Sequence, residues 1–356
     1  MKDEPKKIFN DNPSEILYVS FNQDTSCISI GTETGFKILN TYPFLDLYYR
    51  DMKGGIGIVE MLYNTNILAL VGGGKNPKYQ PNELIIWDEE KGEESGRLKM
   101  NNNILNVKLK ENRIYIVTNL KIYLFDFELN LIDALESKNA FGLISLCYKE
   151  DIIAYPDKRI EGYIRIKNYD KKLFYYFFAH RTPLSCLFLN QEGSLIATSS
   201  IKGTLVRIYD VSTGILVKEV RRGTDGSFIN YVAFDPTKQY FAVNSDKKTI
   251  HLFFMCNNIN EIKMNGNNSN KKSKIISKED EVIDKKRGMF HGFNNFIKYF
   301  GQEYSFTKYK INCNKSICTF GPDNSIIIVT YDGKYYQVGF ENVNNSESYK
   351  IQEEKF

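Results

Sequence analysis

Two arginines stand side by side in KEVRRGTDGS, residues 218–227, at the end of an alternating, strand-like stretch. A guanidinium group is a planar fork of N–H donors that matches phosphate oxygens two at a time. Adjacent side chains on a strand leave from opposite faces. Arg221 and Arg222 are therefore badly placed to grip one ligand together. On a strand near the edge of a sheet packed between two others, Arg221 would face one neighbouring groove and Arg222 the other, and one strand would serve two anion pockets. Gly223 would let the chain turn sharply and leave room for a bulky anion. On an ordinary solvated strand the same pair would make only surface salt bridges. The surrounding scaffold decides between these readings.

No other cluster has the spacing of a reactive site. His180, His251 and His291 form no metal pattern with Cys or Asp. The six cysteines (Cys27, Cys147, Cys186, Cys256, Cys313 and Cys318) show no CxxC spacing and read as buried, reduced thiols of a cytosolic protein. GxSxG, Walker and HExxH motifs are missing, and GGGK at 72–75 has neither the Walker length nor the following Ser or Thr. The sequence therefore argues against an enzyme, and no cofactor or metal is expected. Net charge is +4, from 47 basic and 43 acidic residues, too balanced for a coat along nucleic acid but compatible with a local basic patch. The opening MKDEPKKIFNDNPSE is polar and carries no secretory signal. No apolar run approaches the roughly 20 residues that cross a bilayer, so any membrane contact is expected to be peripheral.

The elements that position the arginines repeat. Paired strand-like runs meet across short turn signals in SCISIGTETGFKIL (26–39), RIYIVTNLKIYLFDF (113–127), SLIATSSIKGTLVRIYD (194–210), QYFAVNSDKKTIHLFF (239–254) and SIIIVTYDGKYYQVGF (325–340). Tyr and Phe, 24 of each, favour strands. The period is about 40 residues, that of four-stranded propeller blades. Seven units begin near residues 15, 55, 103, 139, 182, 227 and 312. The predicted fold is all-β: one seven-bladed β-propeller with WD40-like four-stranded blades over residues 1–356. Two segments interrupt it. Residues 72–82, GGGKNPKYQPN, make a Gly/Pro-rich loop in the second blade. Residues 257–303 form a long insert in the sixth, where 257–288 is Asn/Lys-rich and predicted to be disordered.

ILYVSFNQDTSCISIGTETGFKIL at the front, VGGGKNPKYQPNELIIWD in the second blade and AHRTPLSCLFLNQEGSLIATSSIKGTLVRIYDVSTGILVKEVRRGTD in the fifth resemble the PROPPIN family, as does IKYFGQEYSFTKYKI after the insert. The likeness runs from about residue 15 to 340, with RRG at 221–223 as its signature. It implies a phosphoinositide-binding propeller with two lipid head-group pockets at its rim, one on each side of the RRG strand. The implied ligands are phosphatidylinositol 3-phosphate and the 3,5-bisphosphate. The family pattern falls on His180, Ser200, Thr204 and Arg207 beside Arg221 for the first pocket, and on Ser245, Thr249 and His251 beside Arg222 for the second. Lys248 stands where relatives often carry glycine and either adds a phosphate contact or crowds the site.

Taken without the resemblance, the Ser and Thr of SSIKGT and SDKKT read as blade-turn residues, and His180 and His251 as histidines satisfying buried backbone groups. The second half of the insert carries Phe290, Phe293, Phe296, Ile297, Tyr299 and Phe300 across 289–300, with Lys285, Lys286 and Arg287 before it. That segment is expected to sink into the membrane interface while its lysines meet anionic lipid. The resemblance further implies autophagy-related or membrane-traffic protein partners, and peripheral association of a cytoplasmic chain, monomeric in solution, with preautophagosomal, endosomal or vacuolar-type membranes. The competing reading is a WD-repeat scaffold that binds proteins alone. A nucleic-acid binder would instead show a steep salt dependence and indifference to inositol phosphorylation.

Overall fold

The computed structural model describes residues 15–255, 304–341 and 348–356. Among them run 28 strands, from β1 (Ile16–Phe21) to β28 (Ser348–Lys355), and no helix. They form seven four-stranded antiparallel sheets, each made of strands consecutive in the chain. The first strands of the sheets begin at Ile16, Ile56, Asn106, Ser145, Leu184, Ile229 and Ser316, one to six residues after the starts read from the repeat. The sixth sheet is completed across residues 256–303, because β23 (Thr249–Phe254) pairs with β24 (Thr307–Lys310).

Seven apolar clusters fill the interfaces between successive sheets. One of them joins Ile317, Ile327, Val329 and Tyr335 of the last sheet to Val19, Ile28, Ile30 and Leu39 of the first, which closes the ring. Each sheet thus buries both faces, and its second strand is buried along nearly its whole length. β18 (Leu195–Ser200), LIATSS, is buried at all six positions. The innermost strands are also tied by polar side chains. Gln23 donates from Nε2 to the carbonyls of Met61 (2.7 Å) and Leu109 (3.0 Å), linking the first three blades. Lys108 in the third blade reaches Glu60 in the second at 2.8 Å.

The Gly/Pro-rich stretch 72–82 packs tightly against the head of the second blade. Gly55 bridges Pro77, and a Cβ on Gly72 would stand 1.7 Å from the Tyr79 carbonyl oxygen. Cys27, Cys147, Cys186 and Cys318 are buried free thiols, as expected, whereas Cys313 is only half-buried because it lies in the loop before the last sheet.

Candidate functional site

The fifth blade consists of β17 (Leu184–Leu189), β18, β19 (Leu205–Asp210) and β20 (Leu216–Arg221). Arg221 ends β20, and Arg222 prolongs the ladder by donating its N–H to the Thr204 carbonyl at 3.0 Å. Cross-strand partners share a face. Val206 pairs with Val220, and both pack in the cluster that holds Val243 and Phe253 of the sixth blade. Arg207 pairs with Glu219 and Leu205 with Arg221, so these residues face the fourth blade. Arg207 confirms that direction, since its Nη1 donates to the Ala179 carbonyl beyond the fourth blade at 2.7 Å. Arg222, in step with Val220, faces the sixth blade. The two arginines therefore point into different interfaces.

On the fourth-blade side, Thr198 pairs with Arg207, and Ser200 follows on the same face of β18. His180 is buried and shares a 3.0 Å hydrogen bond between Nε2 and Thr198 Oγ1. Burial, then the nearby Arg207 charge, push its pKa down to about 3, which keeps the imidazole neutral. The Arg207 charge is met by Glu219 at 2.7 Å. Thr204 belongs elsewhere. It lines a recess of about 480 Å3 with Ile201, Lys202, Gly226, Ser227, Phe228 and Asp246, on the sixth-blade side, because it lies in step with Val206 and not with Arg207.

On the sixth-blade side, β22 (Tyr240–Ser245) pairs Val243 with His251 and Ser245 with Thr249. Val243 packs toward the fifth blade, so His251, Ser245 and Thr249 share that direction. The Ser245 hydroxyl is fully buried and makes no hydrogen bond. His251 meets Ser305 Oγ through Nδ1 at 3.0 Å. Burial, then the charges of Arg222 and Lys308, lower its pKa to about 4. Arg222, His251 and Lys308 all face the space between the fifth and sixth blades. Lys308 pairs with His251 across β23 and β24, and Lys310 pairs with Thr249. Neither lysine was among the expected site residues; the signal available was the alternation in TKYK.

Arg222 itself is 8% exposed. Its Nε donates to the Gly203 carbonyl at 3.2 Å and its Nη2 to the Asp225 carbonyl. No carboxylate lies within ion-pair distance of it among the described residues. Burial draws its pKa below the usual guanidinium value, against the opposing pull of Asp246 and Asp225.

Two details differ from the sequence reading. Gly223 is outside the left-handed region and a Cβ there would meet nothing within 4 Å, so the turn does not require glycine, although the space around it is open. The glycine that the backbone demands is Gly203, at φ +58, where a Cβ would stand 1.5 Å from the Ser227 carbonyl oxygen. Lys248 adopts φ 60, a conformation natural to glycine and strained for lysine. His291 and the apolar and aromatic residues Phe290, Phe293, Phe296, Ile297, Tyr299 and Phe300 lie outside the described residues.

The PROPPIN family profile matches residues 16–276. The chain belongs to the PROPPIN family. SVP1-like protein 2 of Saccharomyces cerevisiae is 34% identical over 284 residues, which cover 68% of this PROPPIN and 63% of the yeast protein. The chain thus spans less than two thirds of that relative's length. SVP1-like protein 2 of Schizosaccharomyces pombe is 36% identical over 257 residues, 70% of each chain. Among solved structures, Kluyveromyces lactis Hsv2 with its complete loop 6CD superposes at a TM-score of 0.75 with 25% identity, covering 96% of this chain and 99% of that one. A complex of KlAtg21 with the coiled coil of AgAtg16 superposes at 0.73 with 20% identity and the same coverage, a likeness of fold.

Proposed function

We propose that this PROPPIN is a non-enzymatic, peripheral membrane protein that holds one phosphoinositide head group in each of two clefts flanking β20. The observation that carries the reading is Arg222: a largely buried cation held by backbone carbonyls and lacking a carboxylate partner among the described residues. Burying a charge without a counter-charge is costly, and an anion arriving in the cleft relieves that cost. The unbonded Ser245 hydroxyl and the half-buried Thr249 offer further hydrogen bonds to inositol or phosphate oxygens. Across β20, Arg221, Ser200 and Arg207 supply the equivalent functions above the neutral His180. Thr204 serves the Arg222 side.

The ligands are phosphatidylinositol 3-phosphate and the 3,5-bisphosphate, and residues 289–300 add apolar burial once a head group is held. Two weak sites on one rigid body then act together in the plane of the membrane. On the membrane the propeller acts as a scaffold in autophagy-related or endolysosomal traffic, with other blades left for protein partners. The complex of KlAtg21 with a coiled coil supports that second role. Flotation with vesicles carrying each phosphoinositide tests the proposal. Wild-type protein should float with 3-phosphate and 3,5-bisphosphate vesicles, and Arg221→Thr/Arg222→Thr should not. Normal flotation of the folded double variant would refute it.

A further inference from the structure

The two clefts share β20 as one wall, but their opposite walls differ. The wall facing Arg221 belongs to the fourth blade and is apolar: Ile164, Ile166 and Phe177 pack there against Ile196 and Tyr209. The two cations on strand Tyr163–Asn168 of that blade are turned the other way. Arg165 pairs with Asp157, and Lys167 with Asp133 of the third blade. Arg207 is matched by Glu219, and Arg181 stands in the exposed linker after His180, off the facing strands.

The wall facing Arg222 ends in β24. There Lys308 and Lys310 alternate with Tyr309, whose ring turns to Tyr336 of the seventh blade at 6.3 Å. Their cross-strand partners, His251 and Thr249, direct both lysines toward the fifth blade. Both are exposed, and neither makes an ion pair among the described residues. Lys248 adds a third charge at the turn. The nearby acid, Asp246, is engaged in the recess by the Ser227 hydroxyl at 2.5 Å.

We infer that the clefts are not equivalent: the one between the fifth and sixth blades reads the second phosphate of a bisphosphorylated head group, through Lys308 and Lys310. The inference rests on the lipid-binding reading above and extends it to ligand choice. The first cleft supplies enough charge for one phosphate against an apolar wall. The second presents a buried arginine on one side and two lysines on the other, as a ligand with two separated phosphates requires.

The test uses the full chain, phosphatidylcholine vesicles with either the 3-phosphate or the 3,5-bisphosphate, and phosphatidylserine added to equalise surface charge. Lys308→Gln/Lys310→Gln alters exposed side chains on a formed strand. It is expected to weaken binding to bisphosphate vesicles by roughly thirty-fold at low salt, and binding to monophosphate vesicles by less than about threefold. Equal loss on both vesicles, or no loss on bisphosphate, would overturn the inference while leaving the two-cleft reading intact. Wild-type protein that ignores both lipids would overturn the lipid reading itself. As a second arm, Arg221→Thr should keep the preference for bisphosphate and Arg222→Thr should lose it; the reverse pattern would also sink the assignment.

Discussion

Alanine at Gly203 and alanine at Gly223 should have opposite consequences. Gly203 has φ +58, where an L-residue costs about 1–2 kcal/mol. Its new Cβ would also stand 1.5 Å from the Ser227 carbonyl oxygen, which belongs to backbone and cannot swing aside. The turn must therefore move by more than an ångström. That displaces the hydrogen bonds from Ser227 N–H to the Lys202 carbonyl and from Gly203 N–H to the Ser200 carbonyl, each contributing about 1 kcal/mol. The total loss is about 3–4 kcal/mol. For 356 residues at roughly 2.1 cal/mol/K each, that lowers Tm by about 5 °C. The Gly203 carbonyl also holds Arg222 Nε, so vesicle binding should weaken even where the protein stays folded. Gly223→Ala meets open space and should shift Tm by less than about 1 °C. Scanning calorimetry of both variants decides the matter. A Gly203→Ala protein with wild-type Tm, or a Gly223→Ala protein that loses several degrees, would refute the reasoning.

Three further outcomes follow from the same geometry. The pKa of His180 is near 3 when folded and about 6.5 when unfolded, so the unfolded chain takes up the proton first as pH falls. Its contribution is complete above the unfolded pKa and shrinks as pH falls from 6.5 toward 3; at pH 5 the deficit is roughly 2 kcal/mol. Denaturant titrations at pH 7 and pH 5 should show wild type losing about that much more than His180→Gln, and equal losses would count against a buried neutral imidazole. Lys248→Gly releases a left-handed backbone position and should stabilise the fold by about 1 kcal/mol in urea titrations, with destabilisation the contrary result. Phe293→Ser/Phe296→Ser should weaken vesicle binding while leaving soluble head-group affinity unchanged; loss of both would mean that these residues support the fold instead.

The ring was legible because hairpins such as SLIATSSIKGTLVRIYD put both strands and their turn into one local pattern. The opposite directions of Arg221 and Arg222 followed from strand alternation alone. What sequence could not give was register between strands. Arg207 read as a first-pocket residue, and its cross-strand partner Glu219 comes from the next strand. Thr204 was grouped with Arg207 by motif, but it stands three positions before Arg207, an odd step along the strand that places them on opposite faces. Lys308 and Lys310 were passed over because β24 lies beyond the insert, so the strand that completes the second cleft is remote in the chain from the strand it joins. Gly223 drew attention through the motif, whereas the steric demand sits at Gly203, set by a contact with the next blade that no local pattern reveals.

The central claim is that one strand serves two separate anion clefts, and stoichiometry tests it most directly. Calorimetric titration with soluble inositol 1,3-bisphosphate should give two sites on the wild-type chain, one on Arg221→Thr, one on Arg222→Thr and none on the double variant. A single site on the wild type, or loss of all binding from either single substitution in a folded protein, would contradict the account.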